Sequence, residues 1–398
     1  MTIALTSKPQ ILEPGKPWPR HPDLREFLAA VDLSDDAIDA FLSTRRMPLA
    51  ERGALTFLWR GQADRVDLLR WIGAGVDRNA FSRIEGSDLW HARIEVEDGG
   101  RFEYKLAIVQ DGDEAWHLDP RNPDTAGDPF GENSVAKTFG YARPEWSLPR
   151  GAPEGRVEVL EVESAIFGET RAERVYLPAA YPSTDHPLII IHDGGEYAEY
   201  ASLRPSLDNL IAAGDIPPVV AVLIQAGNRM IEYPKGRRHA RYVAGELLPA
   251  IEARYRISRR PADRVLMGAS LGAVASLATA FRFPGIFGGL VLKSGSFILD
   301  RSALRHRPDG VFHRVARLIQ AARRVPDLPG TRAFVSTGEL EGLADENRAL
   351  ARFLKNRGVD VHFQSTWDGH HWHNWRDQLR DALMWVLKEI GRASCRER

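Results

Sequence analysis

Five apolar runs of strand length in the second half of the chain restrict the fold more than any other feature. They are PLIIIHD (187–193), PVVAVLIQA (218–226), RVLMGAS (264–270), GLVLKSG (289–295) and RAFVSTG (332–338). Near-continuous Val/Ile/Leu segments suit strands that are covered on both faces. Helical patterns separate them. Tyr242–Tyr255 places Val243, Leu247, Ile251 and Tyr255 on one stripe, and Leu271–Phe283 follows directly on a serine. RVEVLEVES (156–164) and ERVYLP (173–178) read as an opening hairpin. This alternation predicts an α/β fold with a doubly wound, mostly parallel sheet over residues 151–390.

The texture upstream is different. Short β-like runs, TFLWR (56–60), RVDLLRW (65–71), LWHARIEV (89–96), RFEYKLAIV (101–109) and AWHL (115–118), are set apart by Gly, Asp and Asn. That spacing predicts a small antiparallel sandwich over 51–150, with DPRNPDTAGDPFGEN (119–133) as a loop. Residues 1–50 read as a helical segment, with Asp35–Phe41 following the capping residue Ser34. The prolines and glycines between Arg143 and Gly155 read as an interdomain linker. The final GRASCRER (391–398) reads as a vector-derived or frayed tail outside the fold.

A chain of 398 residues exceeds one ordinary core. Its formal net charge of −1 argues against a nucleic-acid partner, which needs a concentrated basic footprint. Lys235, Arg237, Arg238, His239 and Arg241 nevertheless form one basic stretch. The N-terminus lacks a signal-peptide pattern, and no window approaches the apolar length of a membrane span. The only cysteine is Cys395, which leaves no intramolecular disulfide and no cysteine metal site. The expectation is a cytoplasmic protein without a membrane partner, metal or cofactor.

Gly268-Ala269-Ser270-Leu271-Gly272 carries the chemistry. It matches a nucleophile elbow, in which a strand turns sharply into a helix and leaves a serine hydroxyl on a strained apex. Small residues two before and two after the serine let neighbouring backbone approach. The context supports this reading, because RVLM precedes the motif and LGAVASLATAFRF follows it.

A serine hydroxyl is a weak nucleophile and needs a histidine base oriented by an acid, here in the order Ser, acid, His. Trp367-Asp368-Gly369-His370-His371-Trp372-His373-Asn374-Trp375 follows the last strand-like run. His370 is favoured because Gly369 frees the loop to aim it, and His371 and His373 compete. Behind RAFVSTG stand Glu339, Glu341 and Asp345, of which Glu341 is favoured as the acid. The oxyanion requires two backbone N–H donors. Leu271 and, in IIIHDGGEY (189–197), Gly195 are the candidates.

With these motifs placed, the chain resembles the enterochelin (enterobactin) esterase family, among the esterase-D-like α/β-hydrolases. The resemblance runs over roughly 54–390. It rests on DLWHARIEV, RFEYKL, DPRNPD and DPFGENS in the first half, and on HDGGEY, NRMIEY, ELLPAIEARY, GASLGA, KSGSF and GHHWHNWR in the second. It implies an immunoglobulin-like N-terminal module and cytosolic hydrolysis of the ester backbone of tri-catecholate siderophores, which releases iron. By position, Ser270 and His370 match the nucleophile and base, and Glu341 the acid. Arg229 and Glu232 match a substrate-positioning motif. There are departures: His371 stands where a carboxylate or small polar residue is common, Ala273 replaces a second glycine, and SGSFILD is less aromatic.

The expected activity is therefore serine carboxylic-ester hydrolysis. A ferric catecholate trianion needs a basic rim and aromatic walls, for which Arg237, Arg238, Trp372 and Trp375 are candidates. The second reading is an esterase for another small ester or a feruloyl or acetyl polysaccharide substituent. The third is a non-catalytic binding protein on the same fold.

Overall fold

The computed structural model describes residues 21–29, 34–72, 75–299, 304, 310–322 and 327–388. Residues 1–20 of the expected helical segment and the expected tail with Cys395 lie outside them. The chain forms two compact units, Met1–Ala142 and Arg143–Arg398.

In the first unit, helices Pro22–Ala29 and Asp35–Ser43 precede the strands. Ser34 caps the second helix, its hydroxyl accepting from the Ala37 N–H at 3.4 Å. Leu49–Glu51, Ala54–Arg60, Leu89–Glu95 and Ser82–Arg83 make one antiparallel sheet in that order. The other is built on Arg65–Ile72 and Arg101–Gln110. Phe57 of the first sheet meets Tyr104 of the second edge-on at 5.0 Å, so the buried faces form a sandwich core.

The stretch expected as a loop at 119–133 holds the strand Thr125–Asp128 and the start of Gly131–Lys137. Turn residues misled the reading because they fill a tight hairpin. The Asp128 carboxylate accepts from the Phe130 N–H at 2.6 Å, and the flanking residues pair antiparallel.

In the second unit, eight strands form one sheet: β1 (Arg156–Ser164), β2 (Glu169–Leu177), β3 (Leu188–His192), β4 (Val220–Ile224), β5 (Arg264–Ala269), β6 (Gly289–Lys293), β7 (Arg332–Gly338) and β8 (Asp360–Thr366). Their order is β1-β2-β4-β3-β5-β6-β7-β8. β2 runs antiparallel to β1 and β4, and every pairing from β4 to β8 is parallel. Both faces are covered. Ile190, Leu266 and Leu292 pack with the helix Leu271–Arg282, while Ile189, Ile191 and Met267 pack with Tyr197, Leu207 and Leu383. This double burial is why these strands read as unbroken apolar runs.

Two details differ from the sequence reading. Residues 143–155 are not a free linker but a strap on the second unit. Asn209 donates to the carbonyls of Trp146 and Leu148 at 2.9 and 2.7 Å, and the Gly155 N–H reaches Asp208 at 2.8 Å. The expected helix over Tyr242–Tyr255 is broken into Arg237–Tyr242, a π turn at Val243–Leu247, and Leu248–Arg254. Pro249, which has no N–H to donate, follows the wide turn. The stripe Val243, Leu247, Ile251 and Tyr255 is still buried, so packing follows the pattern across the break.

Candidate active site

Because β3 and β5 to β8 are parallel, their C-terminal ends lie along one edge of the sheet, where crevices form in such folds. Ser270, Asp193, Glu341 and His370 all follow strands at that edge.

β5 ends at Ala269, and Ser270 takes φ 54° and ψ −121° before the helix Leu271–Arg282 begins. A non-glycine residue with positive φ is strained, and strain of this kind is sustained only where its surroundings impose it. Gly268 is required, and Gly272 is closely packed. A Cβ on Gly268 would lie 2.4 Å from the Gly272 carbonyl carbon, and one on Gly272 would lie 3.0 Å from an Asp193 oxygen. The Ser270 N–H donates to the Lys293 carbonyl at 2.9 Å, which ties the turn to the end of β6. Its hydroxyl lies 3.3 Å from that of Ser296.

The residue after β3, Asp193, also has a positive φ (55°), and the helix Gly194–Tyr200 starts from it. Gly194 must be glycine, since a Cβ there would lie 2.4 Å from the Leu223 Cα. Gly195 and Leu271 thus both stand in first turns of helices, where backbone N–H groups lack intrahelical acceptors. β3 and β5 are direct neighbours, so the two turns sit side by side. Asp193 is buried. Burial pushes its carboxyl up, opposed by Arg229, whose Nε donates to both its oxygens at 3.0 and 2.9 Å.

His370 lies in the loop after β8, and its Nδ1 is 2.5 Å from a Glu341 oxygen. The other Glu341 oxygen accepts from the Thr337 hydroxyl at 2.7 Å and the Gly338 N–H at 2.6 Å. Burial works to raise the Glu341 pKa. The charge of His370 and hydrogen bonds from His370, Ser294 and Thr337 outweigh it and hold the group below its ordinary value. The competing carboxylates are placed elsewhere. Glu339 is bound by Arg348, and Asp345 is 97% exposed beside the same arginine.

The three histidines separate as well. His371 is buried at the N-cap position of the helix Trp372–Asp377, and its ring crowds Gly369: a Cβ there would lie 2.7 Å from His371 Nε2. His373 lies within that helix.

The aromatic candidates divide. Trp375 is buried beneath the histidine, its ring edge-on to His370 at 5.0 Å and its Nε1 donating to the Ser294 hydroxyl at 2.8 Å. Trp372 is half-buried and packs edge-on against Tyr197 at 5.3 Å. Glu232 is committed to Arg171, which donates to its two oxygens at 3.1 and 2.9 Å. Burial would raise its pKa, but the His239 ring 3.6 Å away and hydrogen bonds from Arg171 and the Asn228 N–H bring it down to about 2.

Arg237 and Arg238 are not brought to the serine. Arg237 lines a cleft with Ala278, Phe281 and Arg282, eight or more residues along the nucleophile helix from Ser270. At 1.5 Å per residue that is roughly 12 Å or more. Arg238 donates to the Ile166 carbonyl and lies over the Phe167 ring.

Several participants were not legible as site residues. Lys293 and Ser294 receive Ser270 on one side and Trp375 on the other, and only strand adjacency brings those segments together. Asp193 carried one signal, its place before the paired glycines, but its arginine partner lies 36 residues away.

Among the described residues no group of three or more His, Cys, Asp or Glu side chains could hold a metal ion. No described helix is long and apolar enough to cross a membrane.

Residues 164–386 match the family described as putative esterase. The iron(III) enterobactin esterase of Dickeya dadantii is 27% identical over 393 residues, spanning 84% of this chain and 88% of that protein. The iron(III) salmochelin esterase of Escherichia coli O6:H1 is 30% identical over 234 residues, 57% of this chain and 56% of that protein. The crystal structure of the enterobactin esterase FES from Shigella flexneri in the presence of enterobactin superposes with a TM-score of 0.72 at 22% identity. It covers 88% of this chain and 98% of that one. Profile, relatives and the order of the sheet agree: the chain belongs to the putative esterase family and is a carboxylic-ester hydrolase of the α/β-hydrolase fold with a β-sandwich unit before it.

Proposed function

We propose that the protein hydrolyses the ester backbone of a catecholate siderophore, with Ser270 as nucleophile, His370 as general base and Glu341 as the carboxylate that orients the histidine. The buried Glu341 carboxylate held against the partly exposed His370, together with the strained serine at the same edge of the sheet, is the observation that supports the catalytic assignment. In this reading the Ser270 oxygen attacks the ester carbonyl carbon as His370 takes its proton. The oxyanion is held by the N–H groups of Leu271 and Gly195. As the tetrahedral intermediate collapses, His370 passes the proton to the leaving alkoxide. Water then releases the acyl group by the same steps in reverse.

The substrate class rests on the Dickeya relative, named iron(III) enterobactin esterase, whose match spans most of both chains. Arg229, with 35% of its side chain exposed beside the oxyanion turn, is the cation best placed to orient an anionic substrate, and Trp372 is the aromatic surface nearest the histidine loop. Glu232 serves by fixing Arg171 and the start of the Arg229 helix. A cytoplasmic place of action is part of this reading, because iron released there is available to the cell.

The test is product analysis of ferric enterobactin beside p-nitrophenyl acetate and methyl ferulate. Release of dihydroxybenzoyl-serine at a kcat/KM well above that of the simple esters supports the reading. Preference for the ferulate or acetate would replace it with a small-ester hydrolase. Failure of a fluorophosphonate to label Ser270 would remove the catalytic assignment itself.

A further inference from the structure

The far end of the nucleophile helix holds a second feature that ester hydrolysis does not use. A cleft of about 1050 Å³ lies between the helices Arg229–Lys235, Leu271–Arg282 and Gly310–Ala322. Lys235, Arg237, Arg282, Arg314 and Arg317 line it, and among the described residues no acidic one does. None of these five cations forms an ion pair with a described residue, whereas Arg171, Arg229 and Arg348 are each matched to a carboxylate. The Arg314 Nε is buried with no hydrogen-bond partner.

Helix electrostatics account for part of this. Lys235 and Arg282 stand in last turns, where a cation is favoured. The others run against it. Arg237 opens its helix, where a cation is disfavoured, and Arg314 and Arg317 are like charges three apart on one helix face. The floor is built for close approach: Gly236 has φ 64°, and a Cβ on it would lie 2.5 Å from Leu318. Phe281, Pro284 and Leu318 supply an apolar wall.

Four of the five cations are guanidinium groups, whose planar N–H forks suit the oxygens of a phosphate group. The volume is of the size that encloses a small organic ligand rather than a lone ion. We propose that this cleft is a binding site, separate from Ser270, for a phosphorylated small molecule, with the arginines holding a multivalent phosphate group. Inorganic pyrophosphate and the phosphate tail of a nucleotide share that chemistry.

The experiment is calorimetric titration of the full chain with pyrophosphate, ATP, adenosine and sulfate at one fixed ionic strength. Pyrophosphate, ATP or both are expected to bind at least roughly tenfold more tightly than sulfate, as several charge-assisted hydrogen bonds to one ligand require. Adenosine is expected not to bind. Tighter binding of ATP identifies the nucleotide source, and tighter binding of pyrophosphate the inorganic one. The Arg282→Gln/Arg314→Gln/Arg317→Gln triple variant should lose this affinity by roughly tenfold or more while hydrolysing p-nitrophenyl acetate at the wild-type rate, which also reports that it is folded. The single Arg317→Gln change, at an exposed position, repeats the test in milder form. The proposal is overturned if phosphates bind no better than sulfate, if adenosine binds as well as ATP, or if the variants bind as wild type. Competitive inhibition of the esterase by pyrophosphate that survives in the triple variant would place the anion at the serine and would also overturn it.

Discussion

The two ends of the helix Leu271–Arg282 handle charge in opposite ways. Towards its first turn, polar side chains are matched within hydrogen-bond reach: Asp193 with Arg229 and Glu341 with His370. At its last turn, cations gather with no carboxylate among the described residues. Matching fixes side chains in place, which is what a reaction needing geometry to a fraction of an ångström demands. Unmatched like charges repel, and a cleft of them is relieved only when an anion enters.

The sharpest way to break the comparison is at the serine. Ser270→Ala should lower kcat by about 10⁶-fold and abolish fluorophosphonate labelling, with the melting temperature little changed because the side chain is only half-buried. Retention of a tenth of the rate would mean that the chemistry is elsewhere. Glu341→Gln comes next. An amide cannot stabilise the imidazolium, so kcat should fall by about 10⁴-fold, while Glu339→Gln and Asp345→Asn should stay within about twofold of wild type. Equal losses in all three would undo the distinction drawn from Arg348.

The third prediction concerns a buried cation at the same end, Lys293. Lys293 is fully buried, its Nζ donating to the Trp375 carbonyl at 2.6 Å. Burial pushes its pKa down to about 7, against the lift from Asp377 and Asp381. Its ordinary value is about 10.4. Between those pH values the unfolded chain binds a proton that the folded chain does not. Stability from this group therefore rises as pH rises from about 7 to about 10. Lys293→Met should remove a rise on the order of a few kcal/mol across that window, read from urea melts at several pH values. Parallel wild-type and variant curves would show that the amine keeps its proton in the fold.

The smallest effect is expected at Ser294, whose hydroxyl accepts from Trp375 Nε1 and helps to hold Glu341. Ser294→Ala should reduce kcat by roughly tenfold with KM unchanged, the scale of one lost buried hydrogen bond. A change in KM alone would make Ser294 a substrate contact.

Much of this was legible in the chain itself. The five buried strand runs, the glycines flanking Ser270 and the order Ser, acid, His follow from local rules: period, turn geometry and the steric room a glycine leaves. Those rules failed where one signal has two uses. Prolines and glycines at 143–155 read as a linker, yet they allow an irregular strap whose carbonyls Asn209 can reach. Five basic residues in sequence read as one substrate rim. The break at Gly236 and the helix that follows turn them to different partners, Arg237 into the cleft and Arg238 onto Phe167.

By itself, then, the sequence determined which segments of the second unit are strands, that the serine sits on a strained turn and which loops carry His370 and Glu341. Tertiary structure alone decided which of three carboxylates faces His370, that Ser294 and Trp375 lie beneath the histidine, and that Arg282, Arg314 and Arg317 share a cleft with Lys235. The physical reason is range. Steric and periodic preferences act over a few residues and are written locally, whereas hydrogen bonds and ion pairs join whatever the sheet order places side by side, here segments 29 to 82 residues apart.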